Sequence, residues 1–480
     1  MKLLAAILLP LICLADPTPS VDSLIESTRT VPPEFAADAL IRLAALDSVA
    51  QAQKIELLQR AFDLAGAAQE PYKRRAAISR FGGPAGFLNR VYSQDLDGLS
   101  LRLRAVSAML AVDRQKATAV FLRIPPLQLP AVSCTEFMVP DVGRFYEVLG
   151  SLLAAETLTA KDLERFAGAV DSAAEIPGAA RAIAAAKLSD ADFGRAIAAF
   201  TGALGKTSGD DRTFTHYAAA GRQIEVLVEE CRKRKISPTP LLENFRAYLV
   251  WHLSGKRCAD DELQMPIGAI SSFATPEEAD AQAADAANFF NQHLAVAPVK
   301  PIEEVETLPS RQSGTAAGLH ACEDTACKGI ANQFHDLVFQ ANGNALQPKD
   351  KETAEWHAQL LGFLKSMSEW TQMPEVSPAA YFREKCGVYN DLAGAVPTPA
   401  ERELVLQALL DFIGRNSFQV KNRLEWFLPA NGLIGRAALD PVGLARITEL
   451  LRKSSDPVVA LFANLEAVAP RTPDKILPLL

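Results

Sequence analysis

The chain has 480 residues and a formal net charge of -8, with 49% hydrophobic, 22% charged and 7% aromatic residues. This composition is too apolar for a disordered chain and lacks the glycine repeat of collagen. Its seven cysteines are too few for a small disulfide scaffold. A chain of this length can bury a large core, so we expect several domains or one elongated repeat array.

The amino terminus has the pattern of a secretory signal peptide. Lys2 supplies a positive charge, and residues 3–14 form an apolar stretch that is too short to span a membrane. We therefore predict a signal peptide over residues 1–15, cleaved after Ala15, and a protein that works in the periplasm or outside the cell. Lipidation of Cys13 is the alternative, although a bulky residue precedes it where lipoprotein signals carry a small one.

Apolar residues recur at helical spacing along most of the chain. Leu99, Leu103, Val106 and Leu110, for example, fall on one face of a helix. The predicted helices come in pairs with very short connections, 34–46 with 50–66, 99–112 with 113–124, and 441–452 with 457–468. Because short connections require antiparallel neighbours, the sequence predicts an all-α fold of paired antiparallel helices stacked as an α-solenoid-like array.

Several helix starts are marked by capping residues. Thr275 and Thr398 are each followed by proline and, three positions later, by glutamate, the pattern of a capping box with proline at the first helical position. Serine or aspartate is predicted to open four further helices, at Ser189, Ser377, Asp440 and Asp456.

One segment interrupts the helical pattern. Residues 295–327 contain several prolines and lack helical spacing, which is typical of a loop or linker. We therefore predict an N-terminal helical array over 16–294, an irregular linker or insertion over 295–327, and a C-terminal helical array over 328–480.

Six cysteines remain once the signal peptide is removed, an even number that favours disulfide bonds in an exported chain. Cys231 and Cys386 lie within or at the ends of predicted helices, where they can be buried thiols. The disulfide candidates lie in loops or at loop edges: Cys134, Cys258, Cys322 and Cys327. They allow three pairings, and our preferred set joins Cys134 to Cys258 and Cys322 to Cys327.

His320, Cys322, Cys327 and His335 carry side chains that can bind zinc. The two cysteines are separated by four residues, a loose spacing for a zinc site, and an oxidising compartment favours a disulfide instead. We predict neither a metal nor a cofactor.

The sequence contains no recognisable catalytic motif. Glu355, Glu369 and Glu425 each precede a tryptophan, and a carboxyl group against an indole ring can have a raised pKa that suits a general acid in glycoside hydrolysis. Adjacent residues on a helix point about 100° apart, so these pairs need not touch. A core tryptophan beside a solvated glutamate is the other interpretation.

Two short segments resemble exported all-helical bacterial proteins of uncharacterised function. They are residues 246–260, RAYLVWHLSGKRCAD, and residues 425–429, EWFLP. The resemblance implies an exported all-α protein and brings no activity, cofactor or functional residue with it.

Together these features favour an exported helical-repeat-like binding or scaffold protein, whose partner is a protein or a cell-envelope polymer. The acidic charge argues against a nucleic-acid partner, and the basic residues 232–235 fall at a predicted helix end, where the helix dipole favours cations. No transmembrane segment is predicted in the mature chain. The alternative is a cell-envelope hydrolase that acts on glycan through paired carboxylates.

Overall fold

A computed structural model describes residues 19–75, 84–130, 139–207, 217–254, 257–258, 307–308, 325–339, 345–351, 353–437 and 448–469. Within these ranges most residues are helical and the helices pack against one another, which confirms the all-α prediction. The predicted signal peptide, the helix starts at Thr275 and Asp440, and most of the predicted linker 295–327 lie outside the described residues.

The N-terminal helices are α1 (Val21–Ser27), α2 (Pro33–Ala44), α3 (Gln51–Ala65), α4 (Pro84–Tyr92), α5 (Gly98–Val112), α6 (Arg114–Phe121), α7 (Gly143–Ala154), α8 (Ala160–Ala167), α9 (Ile176–Ala185), α10 (Asp190–Leu204), α11 (Tyr217–Lys233) and α12 (Thr239–Ser254). The C-terminal helices are α13 (Thr325–Val338), α14 (Ala354–Glu369), α15 (Pro378–Ala395), α16 (Pro399–Asn416), α17 (Arg423–Ala437) and α18 (Pro457–Val468).

Two very short strand pairs accompany the helices. Strand β1 (Arg74–Arg75) runs antiparallel to β2 (Val139–Pro140), with Arg74 opposite Pro140. Strand β3 (Arg257–Cys258) runs parallel to β4 (Thr307–Leu308). Because each strand has two residues, these pairs tie connecting segments together and form no layer of their own.

Capping residues set the helix starts as the sequence predicts. The capping box at Thr398 is complete, because Thr398 Oγ1 accepts from Glu401 N at 3.3 Å while Glu401 Oε2 accepts from Thr398 N at 3.4 Å. The side chains of Ser189, Ser377 and Asp456 likewise accept backbone N–H groups at the starts of α10, α15 and α18.

Helix packing follows a two-row pattern in both halves of the chain. In the N-terminal half, α3, α5, α7, α9 and α11 contact one another in succession, and α8, α10 and α12 form a second succession. In the C-terminal half, α13, α15 and α17 form one row, and α14 contacts α16 in the other. Within these rows each helix packs against the helix two places along the chain, as the α-solenoid-like prediction requires.

The two halves meet where the early helices pack against the late ones. Helices α1 and α2 contact α18, and α4 contacts α17; we call this contact the junction. At its apolar centre Phe35 is fully buried, with ring centroids 4.8 Å from Phe427, 5.9 Å from Trp426 and 6.0 Å from Phe462. Rings at these separations bury a large apolar area and add edge and stacking contacts.

Two arginines make polar contacts across the junction. Arg423 pairs with the buried Glu34 along one edge of its guanidinium, Nε to Oε1 at 2.5 Å and Nη2 to Oε2 at 3.0 Å. Arg42 on α2 pairs with Glu466 at 2.7 Å and donates to the carbonyl of Ala469 at the end of α18. The carbonyl contact satisfies a helix end, where backbone acceptors have no partner within the helix.

Within the described residues, no helix combines the length and the apolar character that crossing a membrane requires.

Candidate functional site

A cluster of polar side chains lies at the edge of the junction. The N-terminal half contributes Glu70, which follows α3, and Tyr92 at the end of α4. The C-terminal half contributes Arg383 on α15, Asn422 just before α17, and Glu425 in the first turn of α17. We call these five residues the junction cluster, since its members come from both halves of the chain.

Asn422 connects the two sides of the cluster. Its Oδ1 accepts from the backbone N–H of Leu424 at 3.0 Å, so the side chain caps the start of α17. Its Nδ2 donates to Glu70 Oε1 at 3.3 Å and lies 3.5 Å from the Tyr92 hydroxyl oxygen. One amide group therefore both starts a C-terminal helix and holds a carboxyl group of the N-terminal half.

The backbone around Glu70 is also fixed from both sides. The carbonyl of Glu70 accepts from Gly98 N at 2.8 Å, at the start of α5. The neighbouring Gln69 donates through Nε2 to the carbonyl of Lys421 at 2.6 Å and accepts from Arg423 N at 2.9 Å. These contacts place Glu70 against the segment that leads into α17.

Burial raises the pKa of Glu70 above its ordinary value, because desolvation penalises the charged carboxylate. The charges of Glu425 and Glu34 raise it further, whereas Arg74 and the Tyr92 hydroxyl oppose the shift. Burial and the Glu70 charge together raise the pKa of Tyr92 to about 12, so the phenol stays protonated at neutral pH.

Glu425 is the second carboxyl group of the cluster. Its Oε2 accepts from Arg383 Nη1 at 3.2 Å, and its side chain is 12% exposed. Burial raises the pKa of Glu425, and the Arg383 guanidinium opposes that shift without cancelling it. Arg383 is held in turn over the ring of Phe87, with its guanidinium carbon 5.8 Å from the ring centroid.

The cluster thus combines two desolvated carboxyl groups that interact electrostatically, a neutral phenol, an amide and a guanidinium. Chemically, such a set can hold a proton at a higher pH than an ordinary carboxyl group does, hydrogen-bond to hydroxyl groups, or hold two helices together. Carboxyl groups with raised pKa values are also the groups that acid–base catalysis uses.

The three glutamates that the sequence singled out lie in different surroundings. Glu355 is exposed near the start of α14, and Glu369 is exposed at its end, 3.9 Å from Lys365. The tryptophans that follow them, Trp356 and Trp370, are buried. For these two pairs the structure matches the interpretation of a core tryptophan beside a solvated glutamate, and Glu425 alone of the three belongs to the junction cluster.

The described cysteines fall into two groups. Cys231 on α11 and Cys386 on α15 are buried free thiols, as the sequence predicts, and burial raises the pKa of Cys231 to about 11. Cys327 is buried on α13. Cys134 and Cys322 lie outside the described residues, and the side chain of Cys258 does too, so the pairing stays a prediction.

Sequence reasoning missed a second titratable group, Glu175, which is buried just before α9. Tyr146 OH donates to its Oε1 at 2.8 Å, and the backbone N–H groups of Asp171 and Ser172 donate to its Oε2 at 3.1 and 3.3 Å. Burial outweighs these donors and raises the pKa of Glu175 to about 8. No motif marks this residue; its partners come from the turn that precedes the helix.

Glu175 is expected to make folding pH-dependent. Its folded pKa of about 8 exceeds the ordinary 4.5, so its contribution to stability is full below pH 4.5 and is lost as pH rises through 8. We expect the wild-type chain to lose more stability between pH 5 and 8.5 than Glu175→Gln, measured by urea unfolding. Equal losses in the two proteins would show that Glu175 does not titrate in this range.

In the described part of the chain, no three histidine, cysteine, aspartate or glutamate side chains come together as metal ligands.

The chain matches no known protein-family profile, no curated protein and no solved structure. Arguments about function therefore rest on its own residues and their arrangement.

Proposed function

We propose that this chain is an exported, non-enzymatic helical-array protein that binds another protein or a cell-envelope polymer. The two-row packing of helices is the observation that carries this proposal. Stacked helical pairs form extended surfaces on which many side chains can contact a long partner.

Exposed apolar side chains on the C-terminal half support the choice of a protein partner. Leu361 on α14, Leu404 on α16 and Phe418 just after α16 are exposed, and Phe418 is 79% exposed. The helices that carry Leu361 and Leu404 contact each other, and an exposed apolar area on neighbouring helices is a favourable place for contact with another protein. Val226 on α11 is the exposed large apolar residue described in the N-terminal half and offers a matched control.

A binding experiment tests the proposal with two kinds of partner. In the first arm, the chain 16–480 is immobilised and exposed to solubilised envelope proteins. In the second arm, the soluble chain is mixed with purified envelope polymer, and co-sedimentation is measured. We expect saturable binding that excess free chain competes away. The triple variant Leu361→Ser, Leu404→Ser, Phe418→Ser should lose protein binding, whereas Val226→Ser should retain it. Absence of saturable binding in both arms would contradict the proposal.

Export is part of the proposal and rests on the apolar residues 3–14 and on the six cysteines that follow them, an even number that favours disulfide bonds in an oxidising compartment. Protein recovered from the cell envelope should begin at Asp16. Peptide mapping without reductant should link Cys322 to Cys327 and Cys134 to Cys258. An uncleaved amino terminus together with fully reduced cysteines would contradict export.

A second candidate function, hydrolysis of envelope glycan, is favoured by one observation. Glu425 lies with Glu70 in the junction cluster, and both carboxyl groups have raised pKa values. Such a pair could act as acid and base on a glycosidic bond.

The hydrolase candidate predicts release of soluble fragments from isolated glycan. Glu425→Gln should slow release by about 100-fold or more, the usual contribution of a general acid or base, whereas the exposed Glu355→Gln should not. If the wild-type chain releases no more fragments than buffer, this candidate fails.

A further inference from the structure

The junction has the make-up of an interface between two proteins. Its apolar centre is a cluster of aromatic rings: Phe35 from the N-terminal half, and Trp426, Phe427 and Phe462 from the C-terminal half. Polar contacts accompany this centre; Asn431 Nδ2, for example, donates to Gln94 Oε1 at 2.9 Å. Interfaces between proteins likewise combine an aromatic-rich apolar centre with hydrogen bonds, and arginine is enriched in them. The two halves therefore meet as two separate partners would.

Two ion pairs of opposite sense define how the halves fit together. In one pair, Glu34 of the N-terminal half lies 2.5 Å from Arg423 of the C-terminal half, measured between Oε1 and Nε. In the other pair, Arg42 of the N-terminal half lies 2.7 Å from Glu466, measured between Nη2 and Oε1. Reversing one half against the other would bring like charges together, so these charges select a single arrangement of the two surfaces.

The chain passes from one half to the other through helices that are not part of the junction. It leaves the N-terminal half after α12 and enters the C-terminal half at α13, whereas the junction consists of α1, α2 and α4 against α17 and α18. Strand β4 pairs with β3 just after α12, so residues 309–324 connect that strand pair to α13. The contacts of the junction are therefore the same whichever copy of the chain supplies each half.

We propose that the junction also forms between two copies of this chain, with the N-terminal half of each copy bound to the C-terminal half of the other. The partner is a second copy, and the product is a reciprocally exchanged dimer in which Glu34 of one copy pairs with Arg423 of the other. No new surface is needed, because exchange reuses the contacts that already hold one chain together. This inference stands whether or not the chain binds an envelope partner.

Chain concentration is expected to decide between the two forms. Closure within one chain does not depend on concentration, whereas exchange requires two chains to meet, so the dimer fraction should rise with concentration. Under the proposed binding function, an exchanged dimer presents two helical arrays to one long partner and binds it more tightly without any new contact.

Charge reversal at one ion pair tests the exchange with the full chain. One variant is Glu34→Arg and the other is Arg423→Glu, and each places like charges at the junction of its own chain. An exchanged dimer that contains one copy of each variant has a reversed ion pair at one junction and the wild-type pair at the other. Both junctions are then satisfied, which neither variant achieves by itself.

The two variants are unfolded in urea, mixed and refolded, because the junction has to open before the halves can exchange. Size-exclusion chromatography with light scattering gives the mass of the product, and mass spectrometry gives its composition. We expect a dimer that contains both variants, at a yield several-fold above the dimer yield of either variant alone at the same total concentration. Wild-type chain refolded at increasing concentration should give a growing dimer fraction.

The double variant Glu34→Arg, Arg423→Glu is the matched control. It carries the reversed pair within one chain, so it should return to the wild-type proportions of monomer and dimer. If circular dichroism shows that it does not fold, cysteines replace the charge reversal. Gln94→Cys in one copy and Asn431→Cys in another should then be joined by a short thiol cross-linker after refolding together, whereas wild-type chain gives the background.

The proposal is overturned if the folded charge variants form no dimer containing both, or if the cross-linker joins the two cysteine variants no more than it joins wild-type chains. Neither measurement involves an envelope partner. A negative result would therefore reject the exchange and leave the proposed binding function to its own test.

Discussion

Replacing Phe35 with alanine is expected to lower the free energy of unfolding by about 3–5 kcal/mol, the usual cost of truncating a buried phenylalanine. Phe35 is fully buried and packs against three aromatic rings of α17 and α18. The C-terminal half should also lose stability, because the aromatic rings of α17 and α18 lose their packing partner. Urea unfolding followed by circular dichroism and tryptophan fluorescence measures both effects.

Phe418→Ala is the matched control for this prediction. It removes the same side chain from a position that is 79% exposed, so it should change stability by no more than about 0.5 kcal/mol. Similar losses of unfolding free energy in the two variants would mean that the aromatic contacts of Phe35 do not hold the halves together.

Arg423→Ala should give the second large effect, a loss of about 2–4 kcal/mol, because it leaves the buried Glu34 carboxylate without its bidentate partner. Glu34 is 1% exposed, whereas Arg423 remains about a third exposed. We therefore expect a smaller loss of unfolding free energy than for a wholly buried ion pair. The stability of Arg423→Lys should lie between those of the wild type and Arg423→Ala, since one ammonium group cannot reproduce two parallel hydrogen bonds. Chemical unfolding of the three proteins at one pH provides the comparison.

Two further variants separate the charge from the packing. Arg29→Ala breaks an exposed ion pair with Glu26 and should cost at most about 1 kcal/mol. Adding Glu34→Gln to Arg423→Ala should recover part of the loss, because a neutral amide is easier to bury than an unpaired carboxylate. The interpretation fails if Arg423→Ala loses no more unfolding free energy than Arg29→Ala.

Local features of this fold could be predicted from the sequence because local chemistry decides them. The side chain of Thr398 and the proline after it start α16, and Asp113 alone joins α5 to α6. Each signal involves residues within one helical turn of each other. Helical pairing followed from the same short connections, since one residue between helices forces a reversal of direction.

The junction could not be predicted in this way. Phe35 and Phe427 are nearly four hundred positions apart, and each occurs in an apolar pattern that would suit any core position. Glu425 stands out in the sequence because it precedes a tryptophan, yet its neighbour in space is Arg383 on another helix. Glu70 has no motif at all, and only the approach of Asn422 gives it significance.

The junction also has a consequence for the order in which the chain folds. The guanidinium of Arg42 bonds to a carbonyl 427 positions further along, so α2 lacks this partner until those residues have been synthesised. Contacts of such long range form late, because closing a long loop costs entropy before any contact compensates for it. Under the proposal of export, the contacts between α2 and α18 form only after α18 has crossed the membrane, so the junction closes on the far side.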